Sequence, residues 1–244
     1  MEHHDADILI VGGGLNGPCL ALACAQAGLS SIVLDALPVA AREDTGFDGR
    51  AYALALASVR MLGALGIWDS VAEHAQPMLE IKASDGRAGE GAAPFFLHFD
   101  HAEIEEGPMG HMLEDRFLRR ALLGAMEAAP LVTHRANARV LSQETSVPAS
   151  VTLESGEVFR GRLLVGADGK RSGVAERAGI KRTGWNYEQT ALVCAVDHAL
   201  PHNGIAHQFF MPRWAFGDPA FTRQSVFHRL VRSRASSQRL GAGR

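Results

Sequence analysis

The chain has 244 residues, 47% of them hydrophobic and 21% charged, with a formal net charge of −3. That is enough to bury a sizeable core in one large or two modest domains, and the mild acidity gives no reason to expect a nucleic-acid partner. Cys19, Cys24 and Cys194 are too scattered for a disulfide framework or a metal site and read as buried thiols in a reducing compartment. The start, MEHHDAD, is too polar for a secretory leader. The apolar stretch ALALASVRMLGALGIW is broken by Arg60, so no membrane span and a cytoplasmic location are expected.

Ile8 to Val11 is a short apolar run that ends at glycine, the pattern of a strand buried on both faces. A helix rich in leucine and alanine follows and stops at Gly28. Ser31 to Leu34 is a second strand, closed by Asp35. Gly12, Gly14 and Gly17 make Gly-x-Gly-x-x-Gly between the first strand and the helix. Gly12 permits the tight turn, Gly14 lets a pyrophosphate approach the backbone, and Gly17 lets the helix pack on the sheet. The helix N-terminus after Gly14 adds free N–H groups and partial positive charge. Asp35 is placed to accept hydrogen bonds from a ribose diol and argues against a 2′-phosphate there. A dinucleotide site follows from these residues; this segment leaves FAD and NAD both open.

The chain then departs from a run of strand–helix units. A polar loop, LPVAAREDTGFDGR, precedes a helix expected over about Tyr52 to Leu65. MLEIKASD and PFFLHFD read as strands with little helix between them, and a helix is expected over about Glu114 to Ala128. LVTH and ARVLSQ read as strands. SVTLESGEVFRGRLLVGADG reads as a hairpin around Ser155 and Gly156, its second strand running into Ala167-Asp168-Gly169, and Ser172 opens another helix. An α/β nucleotide fold interrupted by β-rich insertions suits a flavoprotein, with a substrate domain woven into the cofactor domain.

LLVGADGKRSGVAERAGI resembles the aspartate–glycine fingerprint of flavin-dependent aromatic hydroxylases, and DGRAYALALASVRMLGALGIWDSV resembles the segment after the long loop in the same family. GWNYEQTALVCAVDHALPHNGIAHQFF resembles the branch that acts on polyprenylphenol rings in ubiquinone biosynthesis; the resemblance runs from about Asp7 to Met211. It implies FAD as cofactor, with Asp168 on the ribose side of the flavin, Arg50 and Arg116 reaching the cofactor, and Val140 against the adenine edge. These join Gly12, Gly14, Asn16, Gly17 and Asp35 as the candidate cofactor residues. It also implies NAD(P)H as co-substrate and O₂ as the source of the oxygen delivered to an electron-rich ring. A polyprenylphenol substrate, peripheral contact with the inner membrane and association with a ubiquinone-biosynthesis complex come with it. No acid, base or nucleophile is nominated as catalytic, because the cofactor supplies the hard chemistry. His98 and His101 sit in a strand and loop where they do not converge, and no metal is expected.

The implied architecture is a Rossmann-like FAD-binding domain over 1–75 and 110–180, with a partial β-rich substrate domain over 76–109 and 181–212. From Arg213 the character changes: the last 32 residues hold seven arginines, no lysine and one acid, Asp218. Shifting the reading frame by one nucleotide over Trp214 to Val231 permits Gly-Pro-Leu-Ala-Ile-Leu-Pro followed by Arg-Ser-Ser-Ile-Val-Trp, which resembles the hydroxylase branch at this point. A frameshifted, unstructured basic tail over 213–244 and a missing C-terminal part are therefore expected. FGDPA within that tail mimics a later flavin motif and is not counted as a site. The alternative to an enzyme is an inactive nucleotide-binding fragment; the alternative within enzymes is another FAD-dependent oxidoreductase.

Overall fold

A computed structural model of the chain describes residues 4–46, 48–87, 91–103, 106–186, 190–210 and 225–233. In chain order the elements are β1 (Ala6–Val11), α1 (Asn16–Gln26), β2 (Ser31–Leu34), α2 (Val39–Glu43), β3 (Ala51–Ala55), α3 (Leu56–Ala64), β4 (Gln76–Met78), β5 (Glu80–Arg87) and β6 (Gly91–Asp100). They continue with β7 (Gly110–Glu114), α4 (Asp115–Ala128), β8 (Val132–Arg135), β9 (Val140–Glu144), β10 (Ala149–Leu153), β11 (Val158–Gly166), α5 (Gly173–Arg177), β12 (Thr190–His198), β13 (Ile205–Phe210) and β14 (Ser225–Ser233).

The chain divides into two compact units. The first comprises 1–47, 58–74 and 114–183. Its sheet has the order β8-β2-β1-β11-β10-β9, with β8, β2, β1 and β11 parallel and β10 antiparallel to both β11 and β9. Adjacent residues Leu9 and Ile10 of β1 are both fully buried, as a central parallel strand covered on two faces requires. Leu9 and Val11 pack with Ile32, Leu34, Val151, Leu153 and the α5 residue Val174. Ile10 points the other way, toward Gly17 of α1. On α4 the buried residues Leu118, Leu122, Leu123 and Met126 recur at helical spacing, so this helix buries one stripe. Burying a leucine or methionine stabilises by about 1.5–3 kcal/mol relative to exposure, and that stripe docks α4 on α1, α2 and β8.

The second unit comprises 48–57, 75–113 and 184–244. It contains the sheets β3-β7-β4 and β13-β5-β6 and the parallel pair β12-β14. Residues 48–57 and 110–113, grouped with the first domain on sequence grounds, fall in this unit because β3 and β7 pair with each other. The helix expected from Tyr52 starts instead at Leu56; Ala51–Ala55 is a strand. Alanine and leucine favour helix locally, and pairing with β7 overrides them.

The expected unstructured tail also differs over Ser225–Ser233, a strand parallel to Thr190–His198. Residues 213–224 and 234–244, including FGDPA, lie outside the described residues. No helix among the described residues is long and apolar enough to cross a membrane.

Candidate functional site

The turn between β1 and α1 and the first turn of α1 hold four glycines whose requirements differ. Gly12 has φ +120°, and a Cβ there would overlap the Ala167 carbonyl and approach the Asp168 nitrogen at 2.7 Å. A Cβ at Gly17 would collide with the Gly12 carbonyl, so α1 packs directly on the turn. A Cβ at Gly13 would overlap the Asp35 carboxylate. Gly14 is the exception: no heavy atom lies within 4 Å of where its Cβ would be. Three glycines thus serve internal packing, and the fourth presents bare backbone to open space.

That open backbone leads into α1. Asn16 is its exposed first residue. No side chain caps the helix N-terminus, and its first turn carries no acid. The amide groups of that turn and their partial positive charge are available to an anion.

Asp35 follows β2 and is 2% exposed. Its oxygens are occupied: Arg42 Nε donates to Oδ2 at 2.6 Å, Arg42 Nη2 to Oδ1 at 2.9 Å, and the Leu37 N–H to Oδ1 at 3.1 Å. His134 of β8 reaches to 3.9 Å, Nε2 to Oδ2. Burial alone raises the Asp35 pKa, but the His134 approach, the two Arg42 bonds and the Leu37 N–H outweigh it and hold the carboxyl well below the usual carboxylate range. The Asp35 carbonyl accepts from Ala138 N–H at 2.7 Å, which ties the end of β2 to the segment before β9.

Gly13, Gly14, Arg42, Arg119 and His134 line one crevice. His134 and Arg119 are each nine-tenths buried in their side chains. His134 Nε2 and Arg119 Nε have no hydrogen-bond partner among the described residues. The other nitrogens of Arg119 hold the α2 segment, donating to the carbonyls of Ala41 at 3.2 Å and Asp44 at 3.1 Å. Sequence reasoning missed Gly13, Arg42, Arg119 and His134. Arg42 stands on the short helix α2, in a stretch whose sequence reads as a polar loop, and His134 becomes a neighbour only through β2–β8 pairing.

The other candidate residues are placed as follows. Asp168 lies beside Gly12, but its carboxylate turns into α5: Ser172 Oγ donates to Oδ1, and the Val174 N–H donates to Oδ2 at 3.1 Å. Burial pushes its pKa up, and the Ser172 and backbone donors outweigh that and lower it. Val140 opens β9 and packs at the edge of the Leu9–Val151 cluster. Arg116 Nε donates to Glu114 at 2.7 Å and Nη1 to the Thr45 carbonyl at 2.8 Å. Arg50 belongs to the second unit, where its Nε donates to Asp48 at 2.7 Å. His98 Nε2 donates to the Glu80 carboxylate at 2.7 Å, and no metal-binding group of three His, Cys, Asp or Glu occurs among the described residues.

The profile of the FAD binding domain family matches residues 5–213. The chain is 43% identical over 212 residues to ubiquinone hydroxylase UbiL of Rhodospirillum rubrum, covering 86% of this chain and 48% of that protein. It is 34% identical to 3-demethoxyubiquinol 3-hydroxylase of Escherichia coli, covering 87% and 54%. Among solved structures, a mutant of PqsL from P. aeruginosa superposes with a TM-score of 0.63 at 25% identity, over 76% of this chain and 49% of that one. The p-nitrophenol 4-monooxygenase PnpA of Pseudomonas putida shares the fold, with a TM-score of 0.62 at 20% identity over 78% and 47%. The chain spans about half the length of the curated relatives it matches.

Proposed function

Since the chain belongs to the FAD binding domain family, we propose that the Gly12–Gly17 turn and Asp35 hold the ADP part of FAD in an NAD(P)H- and O₂-dependent aromatic hydroxylase. The observation that carries this reading is Gly14, whose Cβ position faces open space beside an uncapped helix N-terminus. The residues fit the group. The α1 amides suit a pyrophosphate, the buried Asp35 suits a ribose diol, and the unpartnered His134 Nε2 and Arg119 Nε line the same crevice.

In this reading Asn16 and Gly17 donate backbone N–H groups to phosphate oxygens, Asp35 accepts from the ribose hydroxyls, and Val140 flanks the adenine. Arg50, Arg116 and Asp168 take their cofactor roles from the family resemblance. FAD when bound supplies the redox chemistry, taking electrons from NAD(P)H and activating O₂. The chain's own work is to bind, to orient and to keep water from the reacting centre.

The substrate we propose is the aromatic ring of a polyprenylphenol in ubiquinone biosynthesis; the Rhodospirillum and Escherichia relatives are named as a ubiquinone hydroxylase and a 3-demethoxyubiquinol 3-hydroxylase. A polyprenyl tail lives in the bilayer, so the protein works at the membrane surface, alongside the other enzymes of the route.

A second reading is that these residues bind the nucleotide without turnover. Purified protein separates the two. Bound flavin with NAD(P)H-dependent O₂ uptake supports the hydroxylase. Flavin binding without O₂ uptake supports the second reading, and absence of flavin binding overturns both.

A further inference from the structure

Asp35 is walled on every side that the structure describes. One wall is Gly13, where even a Cβ would overlap the carboxylate. Another is the Leu37 N–H at 3.1 Å. A third is His134, nine-tenths buried on β8. The fourth is the Arg42 fork, bonded to both oxygens. Backbone and a strand-borne ring do not step aside. Arg42 sits on a helix of only five residues, and its side chain is 16% exposed. It is the movable wall. It also lines the crevice shared by Gly13 and Gly14, where an anion at the α1 N-terminus would lie.

We propose that Arg42 is a displaceable counter-ion that makes this site select nucleotides carrying a 5′-phosphate. This rests on the nucleotide reading given above. In the free protein Arg42 closes Asp35. When a ribose diol takes the carboxylate, Arg42 transfers its fork to the ligand's phosphate, a partner of matching geometry and charge. A nucleoside without phosphate displaces Arg42 and offers it nothing, leaving a partly buried cation unpaired. A nucleoside diphosphate satisfies both partners of the broken pair. Arg42 is thus a specificity-determining residue: Asp35 alone would reward any ribose diol, and the pair rewards only the diol with its phosphate.

The experiment compares ADP with adenosine by calorimetry on the whole chain, as wild type, Arg42→Gln and Arg42→Lys. In wild type, ADP is preferred strongly. In Arg42→Gln, adenosine binds more tightly than to wild type and ADP more weakly, so the preference falls by about tenfold or more. Arg42→Lys keeps the cation without the fork and lies between the two.

An ADP-to-adenosine ratio unchanged in Arg42→Gln overturns the inference while leaving the nucleotide site standing. A wild-type chain that binds neither ADP nor FAD overturns the site itself, and the inference with it. Should Arg42→Gln fail to fold, the Arg42 Nε–H resonance of the wild type decides: saturating ADP must shift it, and an unmoved resonance refutes the exchange.

Discussion

The carboxylate of Asp35 lies against the backbone of Gly13 so closely that a methyl group on Gly13 would overlap Oδ2. The acid at the end of β2 and the glycine turn after β1 are therefore one packed unit, not two motifs that happen to share a sequence. Gly13→Ala must push Asp35 out of place. It is expected to destabilise by about 1–3 kcal/mol and to weaken ADP binding by about tenfold or more. Urea unfolding and calorimetry read the two effects.

Gly12 and Gly14 give opposite results. Gly12→Ala meets a positive φ and the Ala167 carbonyl, and is expected to cost about 3 kcal/mol or more. Gly14→Ala meets nothing, so its stability should stay within about 0.5 kcal/mol of wild type while ADP binding falls. A Gly14→Ala chain that unfolds easily, or one that binds ADP normally, contradicts the assignment of Gly14 to the ligand.

Much of this site is legible in the sequence. A buried run into Gly-x-Gly-x-x-Gly and a second buried run into an acid specify strand, turn, helix and strand by local rules alone. Ser155-Gly156 marks its hairpin the same way, with Gly156 at φ +88°. What escapes depends on how the chain folds back on itself rather than on local pattern. Arg42 pairs with Asp35 because α2 folds back, and His134 arrives because β8 is the parallel neighbour of β2. Tyr52 to Ala55 reads as the start of a helix, and only pairing with β7, far away in sequence, makes Ala51–Ala55 a strand. Asp168 was legible as a strand-to-helix turn, but the direction of its carboxylate was not.

Asp7 governs part of the acid limit. Its carboxylate accepts from the Ser30 N–H at 2.9 Å and from Ser30 Oγ at 2.8 Å, with Arg162 at 3.2 Å, and its pKa is lowered from 3.8 to about 2. A carboxyl whose folded pKa lies below its unfolded one stabilises the fold above the unfolded value, and that stabilisation is lost as pH falls through the folded value. The window therefore runs from about 3.8 down to about 2. Asp7→Asn should be less stable than wild type at pH 5 and converge on it toward pH 2. A gap in urea midpoints that is equal at both pH values contradicts this.

Ser172 caps α5, accepting from Ala175 N–H at 3.0 Å while it donates to Asp168. Ser172→Ala is expected to cost about 1 kcal/mol, a melting shift of about 2–4 °C, with ADP binding retained. A thermal melt paired with an ADP titration checks both halves.

The most direct measurement is the fluorescence of FAD titrated with the purified chain, with ADP as competitor and Asp35→Asn as control. Saturable quenching at one FAD per chain, reversed by ADP and weakened in Asp35→Asn, is the expected result. FAD fluorescence that does not saturate, or quenching that ADP leaves untouched, would mean that the crevice beside Gly14 is not where the nucleotide sits.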